Sequence, residues 1–204
     1  LHLSPMGAHL RRDLRAGDEC RAAARRRGHG GGEDPRIRRF KLFSIEELIL
    51  DDLMPIFRDL GVQVVEEEPY TLTRADGVTA GIYDFALRVD DPQLWEAHSH
   101  EDLRELVEST VAAVRSGRTE SDGFNALVIR AGLTWRQVGL LRAIGRYLLQ
   151  TGGSWGQRSL ESALVANQGI ARDIVELFET RFDPDRFDGR ADEDREAAEA
   201  EVLE

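Results

Sequence analysis

The chain has 204 residues, 41% of them apolar, which is enough for a packed core and excludes a wholly disordered polypeptide. Its net charge is −11; residues 1–36 hold eight arginines against five acids, so the other 168 residues carry about −14, a body that repels phosphate backbones and argues against nucleic acid. The single cysteine, Cys20, excludes an internal disulfide framework or thiolate zinc site, and no apolar run reaches the length of a membrane span.

Residues 1–36 lack sustained apolar periodicity and run into the glycine cluster GHGGG at 28–32. They predict a disordered Arg/Gly-rich arm, with a short helix allowed over Leu10 to Arg27. A nucleic-acid-binding arm and a displaced start of the reading frame compete with that reading. The arginines precede no apolar h-region, so they are not a secretory signal, and a cytoplasmic location is expected. Lys41 is the only lysine among 27 basic residues, which points to a GC-rich coding sequence and not to chemistry. The chain starts at Leu1 and runs out in ADEDREAAEAEVLE, so both ends look cut, and a piece of a longer polypeptide is expected.

Order is predicted from Arg38. RRFKLFS alternates as a strand. IEELILDDLMPIFRDLG places Leu48, Leu53, Ile56, Phe57 and Leu60 at helical spacing, with Ser44 or a neighbour as N-cap and Gly61 as the stop. Pro55 either kinks this helix or marks its first turn. VQVVEEEPYTLT reads as a strand, Arg74–Gly77 as a hairpin turn through its Asp-Gly, and VTAGIYDFALRVD as the returning strand. The resulting βαββ unit covers one sheet face with its helix and leaves the other needing a further helix or a partner sheet.

Beyond DDPQLW the pattern is helical. Leu103, Leu106, Val107, Thr110, Val111 and Val114 form one stripe closed by Gly117. Asp122 caps FNALVIRA, which Gly132 ends. Thr134 and Gln137 form a capping box, and Leu133 and Val138 a hydrophobic staple. Two further helices are expected over Gln157–Asn167 and Ile170–Arg181.

No arrangement of residues makes a catalytic, cofactor or metal site. GHGGG lacks the G-x-S-x-G elbow that an esterase oxyanion loop serves. GGSWG at 152–156 is not a dinucleotide fingerprint and reads as a helix-to-helix loop. His98 and His100, beside Glu96, Glu101 and Asp102, have metal-ligand chemistry, but the acids also suit a helix N-terminus. AGLTWRQV resembles the turn of a DNA-reading helix pair. The second helix, with Val138, Leu140, Leu141, Ile144, Tyr147 and Leu148, leaves only a narrow strip of Arg136, Arg142 and Arg146, so packing inside a bundle is the favoured reading.

Taken together, RRFKLF, MPIFRDLGVQVVEEEPY, IYDFALR, ESDGFNALVIRAGLTWRQVGLLRAIGRYLLQ and IARDIVELFETRFDPD resemble, in order and across residues 38–186, the large multi-domain NAD-dependent glutamate dehydrogenases of bacteria, in the region before their catalytic domain. Residues 1–36, read as a disordered arm, fall outside the resemblance; for the α+β remainder it implies an ACT-like, ferredoxin-type βαββ half-module over 37–92, a helical linker bundle over 100–183, and an acidic tail over 184–204 leading toward the catalytic domain. It implies NAD for the full-length parent and no catalytic, cofactor or metal residue in this chain, whose Lys41 sits on a predicted strand. The partners implied are the rest of the dehydrogenase chain, a homo-oligomer of the full-length protein and an amino-acid effector, with no nucleic acid and no membrane. A free-standing ACT-like sensing module and a helix-turn-helix DNA-binding protein are the alternatives.

Overall fold

A computed structural model describes residues 20–25, 34–45, 48–73, 79–152, 155–183, 186 and 192–203. Four strands, β1 (Cys20–Arg25), β2 (Ile37–Ser44), β3 (Gln63–Thr73) and β4 (Thr79–Arg88), form one sheet in the order β1-β2-β4-β3. Every neighbouring pair is antiparallel. Helix α1 (Leu50–Asp59) connects β2 to β3, and β4 returns between those two strands.

β1 corrects the expectation for the N-terminal arm. CRAAAR reads as disordered or helical because alanine has poor strand propensity. Pairing with the free edge of β2, Cys20 opposite Ser44 through Arg25 opposite Arg39, overrides that preference. The GHGGG cluster, most of the Leu10–Arg27 stretch and the Arg74–Gly77 turn lie outside the described residues.

The inner sheet face carries Phe40, Leu42, Phe85 and Leu87, all buried. α1 lays Leu53, Ile56 and Phe57 on it. Phe57 packs edge-on against Phe40 at 5.8 Å between ring centroids and tilted against Phe85 at 5.0 Å. Ser44 is not its cap: it is the buried last residue of β2, and Ile49 holds the N-cap position without a side-chain hydrogen bond. Pro55 sits inside α1, where it cannot donate to the carbonyl one turn back. Gly61 follows the helix at φ 77°, the left-handed conformation that ends helices.

A short turn, Pro92–Trp95, then leads to α2 (His100–Arg115), which lies against β1. The Trp95 indole donates to the Arg36 carbonyl at 2.6 Å, fixing this turn to the start of β2. After a second short turn (Gly123–Asn125) come α3 (Ala126–Ala131), α4 (Trp135–Gln150), α5 (Gln157–Ala166), α6 (Gln168–Phe182) and α7 (Asp192–Leu203). The helix starts follow the sequence. Asp122 accepts from the Phe124 amide, Gly132 ends α3 at φ 69°, and both halves of the Thr134–Gln137 capping box form.

One contiguous apolar core runs from Phe40 and Phe57 through Leu103 and Val111 to Leu127, Val138 and Val175. Ser121 donates to Asp59 at 2.8 Å and Arg130 pairs with Asp90 at 3.0 Å, tying the helices to the sheet and its following loop.

Candidate functional site

The sheet face away from the helices carries a charged lattice across its middle, beside Phe43, Ile82, Tyr70 and Leu72 on the same face. Alternation in β2 and β4 sends Arg39, Lys41 and Asp84 to that side. An antiparallel sheet can leave such a face to water. Asp84 stands directly between Lys41 on β2 and Glu68 on β3, and the next row is Arg39, Ala86, Glu66. The small Ala86 lets the Arg39 guanidinium reach over β4. Its Nε meets Asp84 at 2.8 Å, and its Nη atoms meet Glu66 at 2.5 Å and Glu68 at 3.3 Å. Lys41 closes on Asp84 at 2.8 Å, and the Tyr70 hydroxyl donates to Glu68 at 2.5 Å.

Arg39 and Asp84 are each only 6% exposed. Burial alone pushes the Asp84 carboxyl up, but hydrogen bonds from Arg39 and Lys41 more than offset it and hold it below its ordinary 3.8. Glu68 raises the Tyr70 phenol by accepting its proton in a hydrogen bond and by its charge. The lattice ties three strands together by charge. Its acids and bases are spent on one another, so it has the chemistry of a fastening and not of a reaction.

A second network centres on Arg142. The sequence places it on an exposed strip with Arg136 and Arg146, yet it is 4% exposed. Its guanidinium forks onto Asp122 at 2.7 and 2.9 Å and donates to Asn125 at 2.7 Å. Asp122 therefore caps the turn before α3 and anchors α4. Periodicity reveals the cap but not the pairing, since Asp122 and Arg142 are twenty residues apart.

α4 also departs from the expectation of a helix packed nearly all round. It buries Val138, Leu141, Arg142 and Gly145, while Arg136, Ala143, Arg146 and Tyr147 face solvent, Tyr147 at 67% exposure. Leu148 is also exposed. The exposed and buried stripes are the two sides of an ordinary amphipathic helix.

The His98–Asp102 stretch opens α2. Ser99 is its N-cap, accepting from the Asp102 amide at 3.1 Å, and Glu101 and Asp102 fill its first turn. The His98 ring packs against Gly132, where an added Cβ would come within 2.5 Å of Cε1. Among the described residues no group of three metal-ligating side chains gathers. Gly152 and Gly156 lie between α4 and α5, and the sheet is antiparallel throughout. A strand–glycine loop–helix cradle for a dinucleotide is therefore not built from these residues, which do not fit NAD. Lys41, on β2, is committed to Asp84. No helix among the described residues is long and apolar enough to cross a membrane.

Comparison with known proteins adds independent findings. The family described as "Glutamate dehydrogenase, ACT3 domain" matches residues 25–100, and that described as "Glutamate dehydrogenase, helical motif 3" matches residues 119–184. The chain is similar to the NAD-specific glutamate dehydrogenase of Mycobacterium tuberculosis, at 38% identity over 155 residues, 75% of this chain and 10% of that protein. It is similar to the NAD-specific glutamate dehydrogenase of Pseudomonas aeruginosa at 40% identity over 141 residues, 66% of this chain and 8% of that protein. The Halomonas elongata NAD-specific glutamate dehydrogenase is 34% identical over 148 residues, 70% of this chain and 9% of that protein. The chain thus spans about a tenth of the length of the curated relatives it matches.

Proposed function

The chain belongs to the family of NAD-specific glutamate dehydrogenases, and from that premise we propose that it is a non-catalytic regulatory and scaffold segment of such an enzyme. The parent enzyme oxidises L-glutamate to 2-oxoglutarate and ammonia with NAD. The single observation that carries this reading is the ordered pair of family matches, an ACT module and then a helical motif, on one continuous core.

Within that reading residues 37–92 form the ACT-like, ferredoxin-type half-module, 100–183 the helical linker and 184–204 the connection toward the catalytic domain. The split strand–helix–strand arrangement of β2, α1 and β3 around β4 supports the ferredoxin-type assignment. NAD binding and the hydride chemistry belong to other parts of the parent, and no reaction step is assigned to residues of this chain. Its partners are the rest of the dehydrogenase polypeptide and, through the full-length protein, further copies of it, in the cytoplasm. An amino acid is the class of effector that an ACT-like module would sense.

The purified chain, mixed with glutamate and NAD, is expected to give no absorbance from NADH. Turnover at enzyme-like rates would end the scaffold reading. The effector proposal is tested separately by thermal melting with each common amino acid, where a saturable rise in Tm is expected for at least one. A flat response across all of them removes it.

A further inference from the structure

Two helices each leave one face uncovered, and the two faces complement each other. On α4 the free face runs through Arg136, Gly139, Ala143 and Tyr147, three or four residues apart. Gly139, Ala143 and Tyr147 of that face line an open groove whose opposite wall is the 117–120 segment, where Arg146 pairs with Glu120. A Cβ added at Gly139 would meet nothing within 4 Å, so the floor stays low between bulkier ends. At one end the guanidinium carbons of Arg118 and Arg136 lie 5.5 and 4.7 Å from the ring centroid of Trp135. Arg118 donates to the Ser116 hydroxyl at 2.9 Å, and among the described residues neither arginine has a carboxylate partner. Arg136 stands in the first turn of α4, where a cation opposes the helix dipole, so it does not serve the helix itself.

The complement is α7, DEDREAAEAEVL, with six acids and one arginine. It is tied to α6 by Arg181 and Glu199 at 2.9 Å, while Glu196, Ala197, Ala200 and Glu201 face solvent. The free face of α7 is thus carboxylate-bearing with small residues at its centre, and that of α4 is guanidinium-bearing with small residues at its centre. At 1.5 Å per residue the Glu196–Glu201 face spans about 8 Å, within the roughly 17 Å from Arg136 to Tyr147. We propose that α7 of one copy docks in the α4 groove of a second copy, its carboxylates reaching Arg118 and Arg136. This contact stands independently of the dehydrogenase reading, since it uses only surfaces of this chain.

Sedimentation equilibrium of the whole 204-residue chain tests it, at low and high salt. The chain self-associates at low salt, and salt weakens the association. Arg118→Glu with Arg136→Glu weakens it about tenfold or more, and adding Glu196→Arg with Glu201→Arg restores it to within about threefold. Gly139→Leu places its Cβ in open space and its branch across the groove floor. It weakens association comparably, with Tm unchanged or raised because leucine is the better helix former. A strictly monomeric chain overturns the proposal. So does self-association indifferent to these variants, which would place the contact elsewhere, as on the free edge of β3. Weakening by charge reversal without rescue by the swap removes α7 as the occupant. Duplex DNA retained at low salt and lost in the Arg118→Glu, Arg136→Glu variant would reassign the groove to nucleic acid.

Discussion

Asp84 sits where three strands exchange charge, and its replacement isolates the consequences. Asp84→Asn keeps the volume but removes the negative charge that Arg39 and Lys41 share. Breaking a buried pair by removing one partner costs about 3–5 kcal/mol; the half-exposed Glu66 still meets Arg39, so about 2–3 kcal/mol is expected here. Denaturant unfolding at neutral pH checks it. The carboxyl titrates below 3.8 in the fold, so the unfolded chain takes up the proton first as pH falls. The stabilisation is therefore present above the unfolded value and lost as pH drops through the folded one. The gap between wild type and Asp84→Asn should narrow as the pH falls below about 4. A gap that stays constant with pH would mean that the charge on Asp84 does not carry the effect. Arg142 makes a companion case. Arg142→Lys keeps the charge but cannot fork onto Asp122 while also reaching Asn125, and about 2 kcal/mol of stability should be lost on the same measurement.

At the scale of elements, α4 begins with a cap written in four consecutive residues. Thr134→Ala removes the acceptor for the Gln137 amide, while the backbone amide of residue 134 still donates to the Gln137 side chain, so a cost of about 1 kcal/mol is expected in thermal or urea unfolding. Gly132→Ala should cost more. It forces a side chain into the left-handed conformation and drives its Cβ into the His98 ring, so about 1–3 kcal/mol is expected, and His98→Ala in the same chain should recover part of it. If the double variant recovers nothing, the backbone conformation alone carries the cost.

These local signals explain which parts of the fold the sequence reveals. Caps, left-handed glycines and 3.6-residue stripes act within one turn, so Asp122, Thr134, Gly61, Gly117 and Gly132 are readable in place. β1 is not readable, because its alanines take the extended form only against the edge of β2. The Arg39–Asp84 and Arg142–Asp122 pairs hide for a related reason. Their partners are 45 and 20 residues apart and meet only after the sheet and helices assemble. The buried side of α4 is not readable either, since leucines and arginines interleave along it and the packing of α2, α5, α6 and the Gly123–Asn125 turn decides which side is covered.

For the whole molecule, the question is whether the sheet module and the helices are separate folding units. Ile129 of α3 joins Phe40, Leu60 and Leu87 around one slot, and the Ala126 methyl lies where a Cβ on Gly61 would touch it. Ser121–Asp59 and Arg130–Asp90 bridge the two parts, and the buried apolar residues form one cluster on both sides of α2. A sheet covered by α1 alone would leave Leu87 and Val89 wet on the inner face, so neither part completes its core without the other. Thermal unfolding should therefore show one transition, with calorimetric and van't Hoff enthalpies agreeing. Val111→Ala, in the helix between the two parts, should lower that single transition without splitting it, by about 1–3 kcal/mol. Two resolved transitions, or a variant that melts only the strand or only the helix signal, would show that the segment carries two independent domains. In the parent enzyme, a single cooperative block would carry a change at the sheet to α6 and α7 as a rigid displacement, whereas two independent domains would absorb it at their junction.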